Sequence, residues 1–175
     1  MKRIYLFLIV ASFIAVIVNR CCNNVEAVPV SSPKDPVQYA QDSFPFCSTL
    51  NDSVKWMIQE AEIEHPDIVY AQALLETGHF KSKIFNENNN LFGMKLPRTR
   101  KTLATGENLN HATFSSWIDS IEDYKLWQDS FASGKTRDEY FAYLGSVYAQ
   151  DDHYVKNLKR ILNKMNEDKK YLAQK

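Results

Sequence analysis

Glu76 is the residue of this sequence best set for acid–base chemistry. It follows Ile68, Val69, Ala71, Ala73, Leu74 and Leu75, which make the preceding helical stretch apolar nearly all round. A helix of that kind is buried in the centre of a domain. A carboxylate within it is costly unless it faces a cleft or finds a partner. Gly78 is a natural helix stop, which puts Glu76 in the last turn. Burial and the negative end of the helix dipole both act to raise its pKa. A carboxyl that stays protonated near neutral pH is what a general acid requires. The competing structural reading pairs Glu76 with Lys81 or Lys83 at the surface.

A metal reading was weighed on the same residues. Glu76-x-x-His79 and Glu62-x-x-His65 have the i, i+3 spacing of di-iron carboxylate helices. Pro66 follows His65 directly, however, and Gly78 interrupts the Glu76–His79 motif, so the metal is set aside. The chain contains neither an HExxH nor a GxSxG motif. No metal or organic cofactor is expected.

The aromatic residues are the second chemical signal. Phe92, Trp117, Tyr124, Trp127, Tyr140, Tyr143, Tyr148 and Tyr154 exceed what a small core requires. Rings beside a cleft stack on the apolar faces of pyranose sugars. Trp117 and Tyr154 are expected as sugar contacts, whereas Trp127 and Phe131 are assigned to core packing.

The elements that must position these residues can be read from pattern and punctuation. Asn51 or Asp52 caps a first helix through about Glu64, with Val54, Met57, Ile58 and Ala61 on one face. Pro66 opens the helix that carries Glu76. Residues 81–90 are polar and irregular. Short strands are expected over 91–96, 101–105 and 111–114, with Gly106 and Asn108 as breakers. Ser116 or Asp119 caps the next helix, and Thr136 with Glu139 forms a capping box for another, ended by Gly145. A last helix places Leu158, Ile161, Leu162 and Met165 on one face.

Composition narrows the class further. The chain of 175 residues is 45% hydrophobic and 13% aromatic with zero formal net charge. A real core is therefore available, and no basic stripe with interleaved aromatics supports nucleic-acid binding. Lys2 and Arg3 precede an apolar run over residues 4–18, which has the length of a signal-peptide core and is short for a bilayer span. Cleavage after Ala27 is the preferred reading; an uncleaved anchor and lipid attachment at Cys21 or Cys22 are the alternatives. Each exports the domain to the periplasm or cell envelope, with membrane contact only through this leader. Residues 1–27 are thus leader, 28–48 a Pro-rich linker, 49–168 the domain and 169–175 a tail. Cys47 reads as a small buried hydrophobe.

Four segments together carry a resemblance. AQALLETGHFKS, NNNLFGMK, HATFSSWIDSIEDY and YAQDDHYVKNLKRIL occur in that order over about residues 53–165. They resemble the glucosaminidase domain of bacterial peptidoglycan hydrolases, glycoside hydrolase family 73. The resemblance implies an α+β, mainly α, lysozyme-like fold with a small β-hairpin lobe. It implies action on peptidoglycan glycan strands at the β-1,4 bond between N-acetylglucosamine and N-acetylmuramic acid, and a monomer is expected. Glu76 takes the general-acid position, Asn90 and Phe92 the groove-lining motif, and Tyr148 the tyrosine that projects towards the acid. His79 and Phe80 depart from the Trp-Gly pair that the family often has. A second carboxylate is commonly proposed in the β lobe, where residues 96–113 offer only Glu107. Failing Glu107, the substrate's own 2-acetamido group serves as nucleophile. A lytic transglycosylase and a non-catalytic peptidoglycan-binding module are the rival readings.

Overall fold

The computed structural model describes residues 49–147 and 153–172. The leader, the linker, Cys47 and Tyr148 lie outside the described residues. Within them the chain is a helical body with one small hairpin, the mainly helical α+β architecture expected.

Helix α1 spans Leu50–Glu60 and is capped by Thr49, whose hydroxyl accepts from the Asp52 amide. The cap therefore lies upstream of the expected Asn51 or Asp52. The helix also stops before Glu64, because Glu62 turns to φ 52°. Helix α2, Pro66–Glu76, begins at Pro66 and is buried from Ile68 through Leu74. It packs on α1 and, most extensively, on the last helix. Each large apolar side chain removed from water there contributes about 1.5–3 kcal/mol.

Residues 81–90 are more regular than their polarity suggests. Ser82 accepts from the Phe85 amide and starts a short helix, α3, Lys83–Asn88. Three consecutive asparagines then tie the chain down. Asn88 Nδ2 donates to the Asn108 carbonyl at 2.7 Å. Asn89 Nδ2 donates to the Phe114 carbonyl at 3.1 Å. Asn90 donates to the Met94 and Ala112 carbonyls, both at 2.9 Å.

The hairpin pairs β1, Gly106–Asn108, with β2, His111–Thr113, in antiparallel register, Glu107 facing Ala112. Leu109 and Asn110 make its two-residue turn with positive φ, 52° and 58°. Two of the three expected strands are absent. Over 91–94 the amides bond to side chains: Leu91 N to Ser120 Oγ, and Phe92 N and Met94 N to Asn90 Oδ1. Over 101–105, Leu103 N goes to Asp123 Oδ1 and Ala104 N to Thr102 Oγ1. Gly106 and Asn108, expected as breakers, lie within β1.

Helix α4, Trp117–Phe131, has the full Ser116–Asp119 capping box. Helix α5, Arg137–Val147, starts at the Thr136–Glu139 box. It runs through Gly145 instead of ending there, and the missing side chain of Gly145 leaves room for α6, Tyr154–Leu172. A Cβ at that position would sit 3.2 Å from Val155 Cγ2. Leu158 and Leu162 of α6 are buried, with Ile161 and Met165 packed beside them. Among the described residues no helix is long and apolar enough to cross a membrane.

Candidate functional site

Glu76 stands at the C-terminal end of α2, where the central helix meets an open groove of about 840 Å³. Burial pushes its carboxyl above the ordinary value, and a hydrogen bond from the Tyr154 hydroxyl opposes part of that rise. The surface-pair reading does not hold for Lys83, which pairs with Glu87 at 3.7 Å. The backbone of the LFGMK segment runs directly against the acid. Gly93 sits at φ 62°, and a Cβ there would lie 3.2 Å from Glu76 Oε2. Only glycine permits both that conformation and that approach.

The groove lining is of two kinds. Trp127 and Phe131 of α4, Val147 of α5 and Tyr154 of α6 supply aromatic and aliphatic surface. Phe131 is 48% exposed and Val147 50%, which leaves apolar surface open to a ligand. The groove is also lined by Lys95, Arg98, Thr99 and Arg100 of the loop, with Asn110 and His111 of the hairpin. Arg100 is neutralised by a two-pronged pair with Asp123, at 3.1 and 2.7 Å. Asp123 also accepts from the Thr102 hydroxyl and the Leu103 amide. Although burial raises the Asp123 pKa, these donors, Arg100 foremost, hold it below the ordinary carboxylate value. Lys95 donates to the Asn110 carbonyl at 2.5 Å. Lys95 and Arg98 have no ion pair among the described residues. A second hollow of about 860 Å³ runs along α6 among basic and acidic side chains, including Lys156, Arg160 and Glu167. It holds no buried acid beside apolar walls and is not the site.

The structure brings Glu76 and Tyr154 together and separates Asn90, Phe92, Trp117 and Glu107 from the groove. Asn90 is 1% exposed and spends its amide on the loop backbone. Phe92 is fully buried, 4.3 Å from the Tyr124 ring. Trp117 is buried at the start of α4. Direct sugar contact does not fit these three, which support the groove from behind. Glu107 is exposed on β1 and does not line the groove. His65 and His79 do not join a metal centre: His65 bonds the Lys135 carbonyl at 2.8 Å. Among the described residues no group of three or more His, Cys, Asp or Glu could hold a metal ion.

Sequence reasoning missed Phe131, assigned to the core with Trp127. Trp127 is largely buried and shows one edge to the groove, whereas Phe131 lies a turn further on, at the end of α4. It also missed Lys95 and Arg98. The signal for these was the run KLPRTRK, four cations without an acid beside the NNNLFGMK motif.

Comparison with known proteins gives three results. Protein bax of Escherichia coli strain K12 is 35% identical over 68 residues, or 39% of this chain and 25% of that protein. The match therefore spans a quarter of that relative's length. The catalytic domain of the autolysin Auto from Listeria monocytogenes superposes with a TM-score of 0.46 at 19% identity, covering 87% of this chain and 94% of that one. The family model described as mannosyl-glycoprotein endo-beta-N-acetylglucosaminidase matches residues 54–167. On that match, which spans well over half of its length, the chain belongs to the glucosaminidase family of glycoside hydrolases.

Proposed function

We propose that this domain is an endo-beta-N-acetylglucosaminidase of the cell envelope. It cleaves the β-1,4 bond between N-acetylglucosamine and N-acetylmuramic acid in peptidoglycan. One observation carries the reading: a half-buried carboxyl of raised pKa lies in a groove lined by both apolar and cationic side chains. The apolar lining suits the face of a pyranose ring. The cationic lining suits carboxylates, which the lactyl and peptide groups of muramic acid supply and which a plain N-acetylglucosamine polymer lacks.

In this mechanism Glu76 gives its proton to the glycosidic oxygen as the C1–O bond breaks. The exposed position of Glu107 supports a route with one protein carboxylate. The substrate's 2-acetamido oxygen attacks C1, and water then opens the cyclic intermediate. The Glu76 carboxylate takes the proton of that water. Tyr154 steadies the acid. Tyr148, which matches the tyrosine of the family motif, is proposed to assist the acid or position the sugar.

The test is to digest purified peptidoglycan and identify the new ends by mass spectrometry. Reducing-end N-acetylglucosamine is the expected product. Anhydromuramic ends would assign a lytic transglycosylase instead, which a single carboxylate also suits. Binding without cleavage, unchanged in Glu76→Gln, would reduce the domain to a binding module.

A further inference from the structure

A continuous line of polar groups crosses the apolar core from α4 to Glu76. Gln128 Nε2 reaches the Tyr140 hydroxyl at 3.1 Å. The Tyr140 and Tyr124 hydroxyls are 2.6 Å apart. Tyr124 donates to Gln72 Oε1 at 2.7 Å. Gln72 Nε2 donates to the Tyr154 hydroxyl at 3.1 Å. The Tyr154 hydroxyl bonds the Glu76 carboxyl. Gln72, Tyr124, Gln128 and Tyr140 are all 0% exposed. Buried polar groups need partners, and this line supplies them, but it does more than that.

Its direction is fixed at the end remote from the acid. Gln128 Oε1 accepts from the Glu64 amide at 2.8 Å, and its Nε2 donates to the Glu64 carbonyl at 3.0 Å. A backbone N–H can only donate and a backbone C=O can only accept, so this side-chain amide has one permitted orientation. Its N–H then faces Tyr140. Tyr140 accepts from Gln128 and has its own proton to give to Tyr124. Tyr124 in turn gives to Gln72, which orients the second amide. Gln72 gives to Tyr154, whose single proton is left for Glu76.

We propose that the backbone of Glu64, acting through Gln128, sets the polarity of this chain, so that Tyr154 always presents a donated O–H to Glu76. The carboxyl oxygen that receives Tyr154 is thereby closed to the acid proton, which is held on the other oxygen. Gln72, Tyr124, Gln128 and Tyr140 are positioning residues. The inference rests on Glu76 being the acid of the reaction.

The charged and titratable groups that face Glu76 are few. Among the described residues, those lining the groove with it are Lys95, Arg98 and Arg100 of the loop, His111 of β2 and Tyr154 of α6; from α4, Asp123 is already taken up by Arg100. None belongs to the positioning set, so the set can be changed without altering them.

The experiment follows the Glu76 carboxyl by carbon-13 NMR titration of the full chain, alongside the pH profile of peptidoglycan cleavage. A donor favours the ionised carboxylate, so its loss raises the pKa. Tyr154→Phe is expected to raise the Glu76 titration by about one unit. It should move the upper-pH limb of kcat/KM by the same amount. Tyr124→Phe frees the Gln72 amide to turn over and should give a smaller shift in the same direction. Gln128→Glu keeps every hydroxyl but replaces the donor with an acceptor. Reversal of the chain then draws the Tyr154 proton to Gln72, and the Glu76 titration rises. Tyr70→Phe removes a hydroxyl from the same helix α2, one bonded to Asn51 outside the chain, and should leave the titration unchanged. A stability loss in Tyr124→Phe and Gln128→Glu with an unmoved Glu76 titration would overturn the proposal. So would an equal shift in Tyr70→Phe. If the titration moves as expected while peptidoglycan stays intact, the chain polarity stands and the assigned reaction fails.

Discussion

Glu76 is held against its own solvation. Burial raises its pKa, and the Tyr154 hydroxyl offsets only part of the rise. Ionising it in the folded state is therefore harder than in the unfolded chain. The resulting destabilisation is absent below the ordinary value of 4.5 and grows as pH rises from there through the folded pKa. Glu76→Gln removes it. That variant is expected to melt at a higher temperature than the parent at pH 7, with the difference vanishing at pH values below 4.5. It should also lose about 10²–10⁴-fold in peptidoglycan turnover. Melting curves at two pH values, together with a turnover assay, check both halves. A variant that melts lower at pH 7 would show that Glu76 serves the fold.

The loop over residues 95–105 is built without strand pairing along most of its length. Its anchor is a single buried carboxylate on α4, Asp123, which holds Arg100, Thr102 and the Leu103 amide. Both members of the Arg100–Asp123 pair are largely out of water, their side chains 7% and 0% exposed. Removing one partner strands the other. Asp123→Ala is expected to cost about 3–5 kcal/mol in urea unfolding at pH 7. It should also raise the KM, because Arg98 and Thr99 ride on the same loop. Since the folded pKa of Asp123 is lowered, its contribution is complete above the ordinary value of 3.8. The contribution fades as pH falls through the folded value, and the gap between variant and parent closes there. An unchanged KM would mean that this loop is not the substrate's wall.

For the molecule as a whole, the groove is an asymmetric electrostatic device. It is lined by aromatic and aliphatic surface from three helices and by cations from one loop, together with the Glu76 carboxyl. Removing the charge of Lys95 and Arg98 should therefore act on anionic substrate and spare neutral substrate. The double change Lys95→Gln, Arg98→Gln is expected to lower kcat/KM on peptidoglycan about 3–10-fold at low salt. The deficit should shrink as salt screens the parent's attraction. Cleavage of a neutral N-acetylglucosamine oligomer should be unchanged. Equal losses on both substrates would show that these side chains position the sugar itself.

Local rules made much of this legible. Pro66 at the start of α2, the Ser116–Asp119 and Thr136–Glu139 boxes and the amphipathic face of α6 are short-range features, and each appears where its residues stand. Glu76 was legible for a related reason, as an acid closing the apolar stretch of a buried helix must answer to something outside that helix. The β lobe was not, because its backbone groups are satisfied by Asn90, Ser120 and Asp123, partners 2–29 residues away that strand patterns do not contain. Asn90, Phe92 and Trp117 had the right chemistry for sugar contacts but face the core, and Phe131 had the character of a core residue but faces the groove. Residue type and spacing determined the helices and the place of the Glu76 carboxyl at the end of one, because capping and periodicity act over a few residues. Which faces stay wet, and which way the buried hydrogen bonds point, was decided by the tertiary structure. Burial and bond polarity depend on groups that only the folded chain brings together.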